Sequence, residues 1–122
     1  MAINRMNYQY GYFNDVQIKE VVQNMHSEIH KLLLYKDNKI NDIIFISDIE
    51  FKRYFKNLLY KYGGLNAILG YPTELIFFMS SLQAAYNECL SPDFKYGEFR
   101  RLILDAHGYL KMMGEVIENA KH

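Results

Sequence analysis

The sequence predicts an all-α fold, a four-helix bundle-like domain built around one buried helix, and two observations favour this class. Amphipathic periodicity indicates helices at about residues 14–35, 47–62 and 95–120. Residues 75–87 carry no charge, and their apolar side chains would point in every direction on a helix. A helix that is apolar all round must be enclosed, and 13 uncharged residues are too few to cross a bilayer, which needs about 20. This segment is therefore predicted to be a central helix, buried on every side.

The first helix has a well-marked beginning. Asn14 is a good N-cap and Gln17 stands at the third helical position, a capping box, while Phe13 can pack on Ile18 as a hydrophobic staple. The helix is expected to end at about Tyr35. Its apolar stripe comprises Ile18, Val21, Val22, Met25, Ile29, Leu32 and Leu33.

The second helix begins with another capping box, formed by Ser47 and Glu50. Adjacent glycines, Gly63 and Gly64, are expected to end it. Pro72 then fits the first turn of the uncharged third helix. The apolar face of the second helix comprises Phe51, Phe55, Leu58, Leu59 and Tyr62.

The last helix, at about residues 95–120, carries an apolar seam of the kind with which one long helix packs along others. At about 100° per residue, Leu104 and Met112 fall on the side opposite this seam. Apolar residues there predict a second buried surface, so we expect a homo-oligomer. The seam comprises Phe99, Ile103, Ala106, Leu110, Met113 and Ile117.

Residues 1–13 form a tyrosine-rich N-terminal arm, and residues 14–122 are predicted to be a single helical domain. Apolar and polar residues alternate over residues 6–12, which is typical of a strand, and residues 43–46 are a short apolar run. The two segments either form one short β pairing, or the arm lies extended over the domain or a neighbouring subunit. The large side chains of the arm also make it a candidate interface, comprising Tyr8, Tyr10 and Tyr12.

The composition excludes several partner classes. Fourteen Lys and Arg balance fourteen Asp and Glu, so no overall field steers the chain to a nucleic acid or a membrane surface. The single cysteine, Cys89, excludes an internal disulfide. The first residues lack the apolar run of a signal peptide, and we expect a cytoplasmic protein without a membrane partner or a cofactor.

A local excess of positive charge lies on the second helix. Lys52, Arg53, Lys56 and Lys61 occur with no acid among them, and Tyr60 lies between them. Such an arc can grip a phosphate by charge and a base by stacking, or bind an acidic protein, although an ordinary solvated face has the same composition. The candidate ligand-binding residues are Lys52, Arg53, Lys56 and Tyr60. Four cations on a neutral chain are too few for tight binding of duplex DNA.

His26 and His30 stand four residues apart on one helix face, the spacing of a two-histidine metal site. A third ligand is needed, and Glu28 points elsewhere on the helix. We therefore predict no metal site.

Another short stretch, Glu-Phe-Arg-Arg-Leu-Ile-Leu-Asp-Ala-His-Gly-Tyr at residues 98–109, contains arginines six and seven residues before a histidine. It resembles the Arg-x(4–6)-His motif of the HEPN ribonucleases, whose small helical bundles dimerise and cleave RNA without metal ions. The resemblance implies that Arg100 binds phosphate, His107 transfers protons and Tyr109 is accessory. Arg101 lies elsewhere on the helix, and its spacing favours an ion pair with Asp105.

The function that these features favour most is a small, non-catalytic, oligomeric binding or regulatory protein, of the inhibitor type found on mobile elements. It would dock a protein partner or sequester a phosphorylated, nucleotide-like ligand. The competing prediction is a metal-independent HEPN-like ribonuclease that uses Arg100 and His107.

Overall fold

The computed structural model describes residues 14–34 and 47–120, with side chains described as far as residue 115. These residues form four helices, and no strand is assigned among them. The prediction of an all-α fold is therefore confirmed. The helices are α1 (Asp15–Leu33), α2 (Asp48–Ile68), α3 (Thr73–Leu90) and α4 (Tyr96–Ala120).

The four helices pack as an antiparallel bundle in which each is adjacent to two others. The Tyr62 ring lies against Phe78, and the Phe55 ring against Tyr86, so α2 and α3 run in opposite directions. The hydroxyl of Tyr96 donates to the carbonyl of Leu33 at 2.8 Å, which joins the start of α4 to the end of α1. Among neighbouring helices, contact is most extensive between α3 and α4, and least extensive between α1 and α2.

The core contains one stripe from each helix. In α4 the predicted seam is buried from Phe99 to Met113, and in α2 the predicted apolar face is buried except for Leu59, which is partly exposed. Phe99 contacts the rings of Phe51 and Phe55 edge to face, across the centre of the bundle. Burial of each such ring contributes about 1.5–3 kcal/mol to stability.

Side-chain caps fix the starts of α1 and α2. The Oδ1 atom of Asn14 accepts from the backbone N–H of Gln17 at 2.9 Å, and the Gln17 side chain accepts from the N–H of Asn14 at 3.0 Å. This confirms the predicted capping box. The hydroxyl of Ser47 accepts from the N–H of Glu50 at 3.1 Å, which confirms the Ser47 half of the second predicted capping box.

The predicted end of α2 is wrong. The helix continues through Gly63 and Gly64 to Ile68, because the buried Tyr62 and Asn66 on either side hold the chain in the bundle. Tertiary packing outweighs the cost of two exposed glycines, about 1 kcal/mol each. The turn comes later, where Gly70 and Tyr71 adopt φ angles of 80° and 57° and Pro72 follows.

Helix α3 is one wall of the bundle and is not enclosed on every side in the single chain. It buries Leu75, Phe78, Leu82 and Ala85. Ile76 and Phe77, however, are 47% and 51% exposed. The expectation of a helix buried all round is therefore not met, because an antiparallel bundle of four helices covers only the inward face of each.

Several predictions fall outside the residues that the structure describes. These are the β pairing of residues 6–12 with residues 43–46, the hydrophobic staple of Phe13 on Ile18, and the interface tyrosines Tyr8, Tyr10 and Tyr12. Among the helices that are described, none is long and apolar enough to cross a membrane.

Candidate functional site

The main candidate site is a groove between helices α1 and α2. These are the two neighbouring helices with the least extensive contact. It encloses about 390 Å³. Tyr60 and Ile68, 70% and 62% exposed, stand along its α2 edge. Two apolar residues in the sequence could have indicated this groove, Leu65 and Ile68. They follow Gly63 and Gly64, which are predicted to end the helix. The groove is lined by Val21, Asn24, Met25, Glu28, Tyr60, Lys61, Gly64, Leu65 and Ile68.

Glu28 joins the two walls of this groove. Its carboxylate accepts from the Tyr62 hydroxyl at 3.0 Å and pairs with Lys61, and its backbone carbonyl accepts from the Tyr54 hydroxyl at 2.8 Å. Burial and the charge of Glu28 raise the pKa of Tyr54 to about 12, and the same causes raise the pKa of Tyr62. Both hydroxyls therefore stay protonated as donors, and the charge of Lys61 is compensated inside the groove.

The basic arc of α2 divides between two places. Lys52 is half-buried in a recess of about 240 Å³ against α3, beside Cys89 and Phe94. Arg53 and Lys56 are exposed. The Lys56 ammonium lies 6.0 Å from the centre of the Tyr60 ring. Tyr60 therefore belongs both to the basic arc and to the groove. Within the described residues, the structure records no ion pair for Lys52, Arg53 or Lys56.

A second site is a cluster of three of the four histidines in the sequence. The Nδ1 atoms of His26 on α1 and His107 on α4 are 2.8 Å apart. Their rings are parallel within 6°, with centres 5.1 Å apart. Face-to-face contact needs atoms about 3.5–4 Å apart, so the rings meet edge to edge at their nitrogens. One Nδ1–H group donates this hydrogen bond and the other Nδ1 atom accepts it. The His30 ring is 6.3 Å from that of His107.

Burial lowers the pKa of His107 to about 4, and the charges of His26 and His30 act in the same direction. Burial also lowers the pKa of His26. The pair is therefore neutral at neutral pH. In the part of the chain that the structure describes, no three or more His, Cys, Asp or Glu side chains are spaced to hold a metal ion.

His107 and Tyr109 of the ribonuclease motif point in different directions. His107 faces α1, whereas the ring of Tyr109 stacks on Phe77 of α3, with centres 5.5 Å apart. Arg100 is exposed, and the described residues show no hydrogen bond between Arg100 and His107. Arg101 pairs with Glu98 and, as predicted, with Asp105.

The predicted interface residues of α4 lie on its outer side. Leu104 and Met112 are 40% and 51% exposed. With Gly108 and Tyr109 they line a shallow cavity of about 320 Å³. That a second chain covers this face stays a prediction.

The described residues thus define a small all-α bundle with a mostly apolar groove beside a basic arc. Comparison with known protein families, with curated protein sequences and with solved structures finds no match to this chain.

Proposed function

We propose that the protein is a non-catalytic binding protein that docks an acidic amphipathic helix of a partner protein in the groove between α1 and α2. The observation that carries this proposal is the position of Tyr60. Its exposed ring lines the apolar groove and also lies next to Lys56. A ligand that contacts this ring therefore meets apolar surface on one side and positive charge on the other.

The shape and length of the site suit a helix. The residues of α2 that line the groove, from Tyr60 to Ile68, extend over about 12 Å. With the basic residues as far as Arg53 the site extends over about 22 Å, which corresponds to about four turns of a partner helix. Apolar side chains at i, i+3, i+4 and i+7 would contact the walls at Met25, Leu65 and Ile68. Acidic side chains at one end of the partner helix would reach Arg53 and Lys56.

A protein partner fits this groove better than a phosphorylated small molecule. The cation that reaches into the groove, Lys61, is already paired with Glu28. The Glu28 carboxylate would repel a phosphate placed beside it. The exposed cations Arg53 and Lys56 instead flank the groove, where the charged rim of a protein interface would lie.

The experiment uses a fluorescently labelled model peptide of about 18 residues, with leucines at helical spacing and glutamates at one end. A peptide with lysines in place of the glutamates is the matched control. Fluorescence polarisation should show binding of the acidic peptide and at least about 10-fold weaker binding of the basic one. Tyr60→Ala and Lys56→Glu should each weaken binding, whereas Asn87→Ala, on the exposed side of α3, should not. Equal affinity for both peptides, or binding unchanged by Tyr60→Ala, would refute the proposal.

One observation supports the competing ribonuclease. His107 carries a neutral imidazole bonded to a second imidazole, and a neutral imidazole can accept a proton from a ribose hydroxyl. We propose this as the second candidate function, in which Arg100 would bind phosphate. Purified protein would degrade mixed RNA, and both Arg100→Ala and His107→Ala would abolish the activity. RNA that stays intact with the wild type would exclude it.

A further inference from the structure

The outer side of α4 has a symmetric pattern centred on Gly108. This glycine lies about 180° around the helix from the buried seam, and a Cβ added to it would meet nothing within 4 Å. Leu104 and Met112 stand one turn before and one turn after it, both substantially exposed. The centre of this face therefore allows another backbone to approach closely.

Charged residues also lie at equal distances along the chain on either side of Gly108, and the two members of each such pair have opposite charge. Asp105 and Lys111 lie three residues on either side of Gly108, and Arg101 and Glu115 lie seven residues on either side. All four are exposed. At about 100° per residue they fall within about 60° of Gly108 around the helix.

This pattern is complementary to itself when two copies of α4 cross antiparallel at Gly108. A residue a given number of positions before the glycine then lies opposite the residue the same number of positions after it in the second copy. Leu104 faces Met112, Asp105 faces Lys111, and Arg101 faces Glu115. A parallel crossing would instead set each charge against its own kind, so the charges favour the antiparallel arrangement.

The contacts around this face leave Arg101, Lys111 and Glu115 able to pair with a second copy. Arg101 is held in place by Glu98 and Asp105, and these bonds leave hydrogens of its guanidinium group available. For the described residues, the structure records no ion pair involving Lys111 or Glu115. The stacked rings of Phe77 and Tyr109 extend the apolar surface from α4 onto α3.

We propose that a second copy of this chain covers the outer face of α4, in a twofold symmetric dimer whose axis passes beside Gly108. Gly108 meets its own copy at the axis, and each of the three pairs named above occurs twice, as apolar with apolar or acid with base. The half-exposed Phe77 of α3 becomes covered at the edge of the interface. The dimer does not depend on the function proposed for the groove between α1 and α2.

Cross-linking tests the position of the axis. In a Cys89→Ser background, Gly108→Cys places a thiol next to its own copy, and mild oxidation should yield a disulfide-linked dimer. Asn57→Cys on α2, away from α4, is the matched control. The Gly108→Cys variant should cross-link at least about 10-fold faster, because proximity raises the effective thiol concentration towards the millimolar range. Equal rates would overturn the proposed axis.

Charge exchange tests the pairing itself. Light scattering should show a dimer for the wild type, and Leu104→Glu should yield monomers. Glu115→Arg should weaken the dimer, because it sets two arginines against each other. The double variant Arg101→Glu with Glu115→Arg should restore the dimer, because the ion pair then forms again with the two charges exchanged. Circular dichroism checks that each variant is folded. A wild type that is monomeric at every concentration measured, or a double variant weaker than the single one, would overturn the proposal.

Discussion

Acidification is expected to destabilise the contact between α1 and α4, and His107 sets the size of the effect. Its pKa is about 4 in the folded chain, against 6.5 for a free histidine side chain. Between these values the unfolded chain binds more protons, so stability is lost as the pH falls from 6.5 towards 4. The full difference corresponds to about 3 kcal/mol. Because His107 is only half-buried, solvent screening reduces this to about 1–2 kcal/mol.

The side chains around His107 also affect this loss of stability on acidification. His26 and His30 face it from α1, and Lys111 lies one turn further along α4. One added proton can be held on an outer nitrogen while the bond between the two Nδ1 atoms persists. A second proton leaves both rings cationic with hydrogens on both Nδ1 atoms, and these rings repel each other. The contact is therefore lost in the second step.

Thermal melting followed by circular dichroism, from pH 7.5 to pH 4, measures this effect. Acid also affects other parts of the protein, so the informative quantity is the difference between the wild type and His107→Asn, whose amide can still bond to His26. The melting temperature of the wild type should fall by about 4–8 °C more than that of the variant. His30→Asn, at the exposed residue of the cluster, is the control and should change the pH dependence less. Parallel curves for the wild type and His107→Asn would refute the reasoning.

Further predictions concern stability, measured by urea denaturation. Gly63→Ala should stabilise the protein by up to about 1 kcal/mol, because Gly63 lies inside α2 with nothing near its added Cβ. Gly70→Ala should instead destabilise the protein by about 1 kcal/mol, because the φ angle of Gly70 is 80°. Equal effects would contradict the observed end of α2. Tyr62→Phe should cost about 1 kcal/mol by removing the hydrogen bond to Glu28. Asn66→Leu should stabilise by about 1 kcal/mol, because the buried Oδ1 atom has no partner among the described residues; a loss would show that this amide is satisfied.

Local signals were sufficient to predict most of the helices. The caps at Asn14 and Ser47 lie within one turn of the helix they start, so they can be recognised without knowing the tertiary structure. The seam of α4 was predictable for the same reason, since its spacing depends only on the helical period. The end of α2 was not, because exposed glycines inside a helix are tolerated only when packing beyond them holds the chain, and that packing is not visible in the sequence.

The two candidate sites were only partly predictable from the sequence, because each joins residues distant along the chain. His26 and His30 were recognised as a pair, but their third neighbour, His107, is 81 residues away from His26. It meets them only because α1 and α4 run antiparallel in contact. Likewise Met25 and Leu65 appear in the sequence as ordinary core residues, and the groove between them exists only because α1 and α2 separate there.

The proposed dimer and the proposed groove lie on opposite sides of the bundle, and this has a consequence for binding. In an antiparallel bundle where α1 neighbours both α2 and α4, helices α2 and α4 are diagonal to each other. A second copy seated on the outer face of α4 therefore leaves Tyr60 and the groove beside it open. The dimer would present two grooves that face away from each other, so it could bridge two partner helices but could not close both on one short helix. A surface that displays several such helices would then be held more tightly than any single helix in solution, through avidity and without any new contact.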